Sequence, residues 1–292
     1  MNKRTFPTEL QLLLVVLIWA VNYPIVKYGI TGLNIFVFNS IRFIVAGIFI
    51  WIFFLGQSRW TPVERRDWKG LLQAGVIAHV LYQIAFIVGL NLTTAGNSAI
   101  LISTSPLWTI VLHARLHKEK IRSRVWAGII LSLCGVALLI IGSGKKIEFG
   151  SNALIGDIIC FLAAILWGLN TTLQKPLLSK YSPPQVNLVM IAVGAAGLTL
   201  AATPNLIHLY GAEIHWSYYA AALISGMFSI GLANVLWSNG VKRIGPGRTA
   251  IFNNLVPVFA FALSYITLHE EVLPIQFIGA AVTISGVWIA RR

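Results

Sequence analysis

Apolar runs long enough to cross a bilayer follow one another along almost the entire 292-residue chain. A spanning helix needs roughly 18 or more mainly apolar residues. Ten such segments are predicted, at about 9–28, 35–55, 70–90, 95–115, 125–142, 154–175, 185–203, 217–238, 248–268 and 273–290. Only 11% of the residues are charged, against about 25% in a soluble domain, so most of the surface must face lipid. Within lipid the backbone has to satisfy its own hydrogen bonds, and helices of this length do so. The expected class is an all-α integral membrane protein. The opening "MNKRTFPTEL" offers a basic head but no small-residue cleavage site, so the first segment is expected to stay as a helix. The gaps between segments leave no room for a soluble domain.

The net charge is +13, which invites a nucleic-acid reading until its distribution is considered. With ten spans and the N-terminus inside, 18 of the 22 basic residues fall on the cytoplasmic side. Only Lys27, Lys145 and Lys146 fall opposite, and Arg42 lies within a span. This asymmetry orients membrane proteins and predicts cytoplasmic termini. The basic excess reports orientation, and no nucleic-acid partner is expected. Cys134 and Cys160 both fall in apolar segments and are read as buried and unpaired.

The chain also repeats itself. Trp19, Asn22 and Lys27 return as Trp167, Asn170 and Lys175, each 148 positions later. Further on, at an offset of 151, ten identities fall within 48 ungapped positions, among them Pro106 with Pro257, Gly128 with Gly279 and Gly135 with Gly286. Two repeats are predicted, at 1–142 and 154–292, joined by a loop at 143–153. Each holds five spans, an odd number, so the second must lie upside-down relative to the first. That inverted arrangement is typical of secondary transporters, which hold substrate near mid-membrane between their halves.

Polar and aromatic side chains interrupt the spans at matched places. Trp19, Asn22 and Tyr23 lie at i, i+3 and i+4 on one helix face, and Trp167, Asn170 and Thr171 repeat that spacing. An amide in hydrocarbon must turn toward protein or a wet cavity, where it either touches a ligand or joins helices. The third span places His79, Tyr82, Gln83 and Phe86 in one helical stripe. Its counterpart in the eighth offers Asn234 and Trp237, with Ser229 nearby. The fourth adds Asn97, Ser103, Thr104 and Trp108, and the ninth Asn253 and Asn254. The candidate substrate-binding residues are therefore Trp19, Asn22, His79, Tyr82, Ser103, Trp108, Trp167, Asn170, Asn234 and Trp237. Pro24, Pro106 and Pro257 are candidate kinks, with static packing as the alternative. Arg42 either meets a substrate carboxylate or is held structurally by helix carbonyls, and the structural role is favoured. Glycines spaced by seven in the fifth and tenth spans are read as sites of close helix packing.

The segment "GLNLTTAGNSAILISTSPLWTIVLHARLHKEKIRSRVWAGIILSLCGVALL" (89–139) resembles the repeat unit of the drug/metabolite transporter (DMT) superfamily, in its EamA-like branch. The segment "GVKRIGPGRTAIFNNLVPVFAFALSYITLHEEVLPIQFIGAAVTISGVWIA" (240–290) is similar, with the same Pro, Glu and paired Gly markers. Within the superfamily the chain looks most like the YddG-type amino-acid exporters. The resemblance implies a bacterial inner-membrane exporter of aromatic and other neutral amino acids, with a central cavity bordered by helices 1, 3, 4, 6, 8 and 9. Substrates open to the residues themselves include other small amphipathic metabolites, nucleobases and quaternary ammonium compounds, and a channel-like pore is the rival class. No acidic residue lies deep in a span, so transport is expected to be facilitated, or proton-linked through His79. The motif "HEEVL" at 269–273 lacks the second histidine of a zinc site, and no P-loop is present. No enzyme activity, cofactor or metal is expected. The expected partners are a small molecule and the lipid bilayer, and ten spans can suffice as a monomer.

Overall fold

The computed structural model describes residues 7–55, 60–92, 101–118, 120–142, 151–206, 214–268 and 273–291. Asn97, Glu119, His269 and Glu270 lie outside them. Among the described residues there is no strand, and the helices form ten successive rods. The first, α1, is Thr8–Gly32, and α2 is Ile35–Ile50 continued by a π-helical turn, Trp51–Leu55. The third, α3, comprises Arg65–Gly75, a π segment Val76–Leu81, and Tyr82–Leu92. Then come α4 (Ser105–His117), α5 (Ser123–Gly142), α6 (Ser151–Lys180) and α7 (Pro183–Leu206). In α8, Trp216–Ile224 leads through a π segment, Ser225–Leu232, into Ala233–Ile244. In α9, Pro246–Ala250 tightens to a 3-10 turn, Ile251–Leu255, before Val256–Leu268, and α10 is Pro274–Arg291.

Among the described residues, six of these helices are long and apolar enough to cross a membrane, and α5 and α10 are shorter apolar helices. The remaining two, α4 and α9, are interrupted. A turn at Ser103–Thr104 precedes α4, and the 3-10 turn divides α9. Pro106 and Pro257 stand just after these interruptions, in the first turn of the helix that follows, where a missing N–H leaves no bond unmade. Breaks between rods follow local chemistry. The Asn34 side chain caps α2 by accepting from the Phe36 amide at 3.0 Å. Gly245 takes the left-handed φ of 87° between α8 and α9, a conformation that glycine adopts without a Cβ clash.

The chain divides into two compact units, Met1–Val80 with Leu173–Arg243, and Leu81–Thr172 with Ile244–Arg292. The division falls inside α3 and inside α6, so each unit draws on both sequence repeats.

In the first unit α2 packs most extensively against α7, with Phe38, Phe43, Ile50, Met190, Ile191 and Leu198 fully buried. Ser40 and Thr199 share a 2.6 Å hydrogen bond across the seam. Gly75 lets α3 approach α7, since a Cβ there would lie 2.9 Å from the Cβ of Val193. In the second unit the most extensive packing is α5 against α10. Cβ atoms on Gly128, Gly135 and Gly286 would run into Ala290, Thr283 and Ser132 respectively, so these glycines are where the two backbones meet. In both units the closest partners are counterparts in the sequence repeat. Local bonding repeats as well. Asn39 donates to the Ile35 carbonyl and Asn187 to the Pro183 carbonyl, both at 2.9 Å, and these pairs are 148 apart. At the other offset, the π segment of α3 maps onto 227–232 within the π segment of α8. Large apolar side chains such as Trp51, Phe53 and Leu200 project outward, as a lipid-facing surface requires.

Candidate functional site

In the first unit the site residues gather where α1 meets α8. Trp19 stands with its ring centroid 5.1 Å from that of Trp237 and donates its indole N–H to the Ser229 carbonyl at 3.3 Å. Ser229 lies in the π segment, where the widened winding disturbs the regular backbone ladder. Trp237 is only 1% exposed. One turn along α1, the Asn22 side-chain oxygen accepts from the Ser225 hydroxyl. Asn22 and Ser225 form a polar rung in the wall of a mainly apolar cleft of about 240 Å³, lined also by Leu17, Val21, Ile25, Phe228 and Ser229. Several of these side chains are exposed, so the rung sits beside a lipid-facing groove. Asn234 is buried one turn before Trp237. α1 runs on without interruption through Pro24, which is exposed.

His79 lies in the π segment of α3 and is 3% exposed. Its ring meets Phe43 edge-on at 5.2 Å, and it fits because residue 194 is glycine: a Cβ there would lie 2.5 Å from the Cβ of His79. Among the described residues its Nε2 has no hydrogen-bond partner. Arg42 is buried in α2, donates to Asn39 Oδ1 at 2.7 Å and lies 5.7 Å from the Phe38 ring centre. These contacts, both within its own helix, hold the guanidinium by hydrogen bonding and ring-face attraction.

In the second unit α3 and α6 supply an aromatic cluster. Tyr82 lies 5.0 Å from Trp167 and stacks on Phe86 at 5.9 Å. Trp108 meets Phe161 edge-on at 5.3 Å. Gly168 opens the space beside it, since a Cβ there would press on Trp108 and the Thr109 amide. Thr172 bridges α6 to α4, donating to the carbonyls of Gly168 at 3.0 Å and Thr109 at 3.3 Å. Asn170 is 1% exposed, and Ser103 is buried in the turn before α4. Asn253 donates to Ser105 at 3.0 Å and Asn254 to Ser132 at 2.6 Å. These bonds tie the 3-10 turn of α9 to α4 and α5.

The two clusters correspond. Trp19 maps to Trp167 by 148 and Phe86 to Trp237 by 151, and in each unit the paired tryptophan belongs to one aromatic group. The predicted stripe on α3 is divided: His79 joins Phe43 in the first unit, while Tyr82 and Phe86 join Trp167 in the second. The stripe assumed an unbroken α period, and the π segment ending at Leu81 changes it. Ser225 as the partner of Asn22 has no signal in the sequence. Neither has the buried chain in which Asn187 donates to Ser238 and Ser238 to Gln174, both at 2.7 Å.

The ion pairs among the described residues lie at helix ends. Lys180 reaches Asp67 at 2.8 Å and Arg66 reaches Glu64 at 2.6 Å. Tyr181, itself buried, donates to Asp67 at 2.8 Å and accepts from the Glu64 amide at 3.0 Å.

Apolar rods with lipid-facing exteriors and matched aromatic–amide clusters inside make up a multi-pass membrane transport protein. The profile of the EamA-like transporter family matches residues 7–141 and again 154–292, and the chain belongs to that family, within the DMT superfamily. It is 27% identical over 268 residues to the "Uncharacterized transporter YetK" of Bacillus subtilis (strain 168), covering 90% of this chain and 80% of that protein. It is 24% identical over 283 residues to a "Probable terminal-alkyne amino-acid exporter" of Streptantibioticus cattleyicolor, covering 96% of this chain and 92% of that one. A crystal structure superposes with a TM-score of 0.79 over 97% of both chains at 17% identity, a likeness of fold alone.

Proposed function

We propose that this transporter exports small amphipathic metabolites, above all aromatic and neutral amino acids, by alternating access between inverted repeats, with both termini in the cytoplasm. The observation that carries the reading is the doubled aromatic cluster: Trp19 with Trp237, and Trp167 with Tyr82, each with an amide one turn along its tryptophan's helix. Ring faces of this kind suit apolar or aromatic side chains and add roughly 0.5–2 kcal/mol for a cationic group. Asn22, Asn170 and Ser103 supply donors and acceptors for an ammonium and a carboxylate. A relative named as a probable terminal-alkyne amino-acid exporter supports the same substrate class. Flux runs down the substrate gradient. A proton-linked second reading is favoured by one observation, the buried His79 whose Nε2 is unbonded among the described residues.

The test is uptake of labelled aromatic amino acids into proteoliposomes. Saturable flux with counterflow is expected, and Tyr82→Ala and Trp167→Ala should each raise KM at least several-fold. Non-saturating conductance would indicate a channel and overturn the reading. Unchanged KM in both variants would remove the second-unit cluster from the site.

A further inference from the structure

We propose that the turn joining α4 to α5 binds the phosphate headgroup of an anionic phospholipid through Arg115, Lys118, Arg122 and Arg124. Within the ten residues 115–124 stand five basic side chains, these four and Lys120. All five are exposed, and among the described residues none makes an ion pair. Glu119 can neutralise one of them, which leaves the segment at +4 (5 − 1). The first unit handles its cations differently, since Arg66 and Lys180 have Glu64 and Asp67 beside them. Among the described residues the basic turn of the second unit has no ion pair of that kind.

The helices themselves account for only part of the cluster. Arg115 lies in the last turn of α4, where the helix dipole favours a cation. Arg122 and Arg124 stand at the start of α5, where the dipole disfavours one. Lys118 takes a left-handed φ of 54° that ends α4. Arg122 and Arg124 follow Arg115 by seven and nine positions along the chain. Apolar side chains lie among these cations. Leu116 is 57% exposed, and Ile121 and Trp126 are half-buried. A soluble anion has no use for such neighbours, whereas a phospholipid has acyl chains to lay against them, and indoles favour the headgroup level. Clustered cations next to a spanning helix attract anionic headgroups, and guanidinium groups match phosphate oxygens bidentately. This inference rests on the chain spanning a membrane and not on the proposed substrate.

The test is native mass spectrometry of the full-length protein released from mixed phosphatidylglycerol/phosphatidylcholine nanodiscs, counting retained lipids. The wild type should retain phosphatidylglycerol preferentially. The variant Arg115→Gln/Lys118→Gln/Arg122→Gln/Arg124→Gln should lose that preference by about fivefold or more, while Arg66→Gln/Lys180→Gln keeps it. Should the fourfold variant fail to fold, Arg122→Gln/Arg124→Gln is compared instead, and the wild type is repeated in about 1 M salt, where screening should remove the preference. Equal retention by wild type and variants, equal loss in the Arg66/Lys180 control, or displacement of the lipid by inorganic phosphate would each overturn the proposal.

Discussion

Trp19 places its ring 5.1 Å from Trp237 and donates its N–H to the Ser229 carbonyl, so a single side chain joins α1 to α8 twice. The two contacts separate by substitution. Trp237→Ala empties a fully enclosed site and should cost about 3–5 kcal/mol. Trp19→Phe keeps an aromatic ring beside Trp237 but loses the hydrogen bond and part of the indole's contact area, at about 1–2 kcal/mol. Equilibrium unfolding in detergent micelles measures both, and equal losses would show that the ring contact does not dominate.

Ser238 receives a hydrogen bond from Asn187 and gives one to Gln174 in an interior where all three side chains are at most 3% exposed. Ser238→Ala removes the link without opening a large cavity. The expected loss is about 1–3 kcal/mol, set by the polar atoms left without that partner. A stability within 0.5 kcal/mol of wild type (about the scatter for surface changes) would mean that water or another group takes its place.

Lys180 and Tyr181 both hold Asp67, yet their losses should differ. Surface ion pairs contribute little because water screens them and long side chains must be ordered. The Tyr181 hydroxyl bridges Asp67 and the Glu64 amide from a buried position. Thermal melts should therefore rank Tyr181→Phe as more damaging than Lys180→Met, and the Lys180 effect should shrink with added salt.

His79→Gln keeps a polar side chain of similar reach but cannot take up a proton. Under the proton-linked reading, downhill amino-acid flux should persist in this variant while any stimulation by an imposed pH gradient disappears. Retained stimulation would exclude His79 as the coupling group.

The apolar runs announced the rods because spanning length and hydrophobicity are properties of contiguous residues. Trp19 and Trp167 stood out for a similar reason, as the same interruption occurs twice at a fixed offset. What escaped the sequence depends on changes of winding and on distant pairing. Tyr82 and His79 read as one stripe at 3.6 residues per turn, but the intervening π segment sends His79 toward Phe43 and Tyr82 toward Trp167. Asn22 was legible as a polar group needing a partner. That the partner is Ser225, 203 residues away, follows only from α1 meeting α8. The division of the chain was hidden too, because it cuts through α3 and α6 instead of the loop between the repeats.

The glycine seam between α5 and α10 also bears on movement. With Gly128, Gly135 and Gly286 lying directly against the opposite helix, there is no cushion of side chains to shear or ratchet. A slide by even one residue would drive a neighbouring Cβ into backbone. During any transport cycle the pair must travel as one stiff strut, leaving bending and rotation to helices whose winding is already irregular.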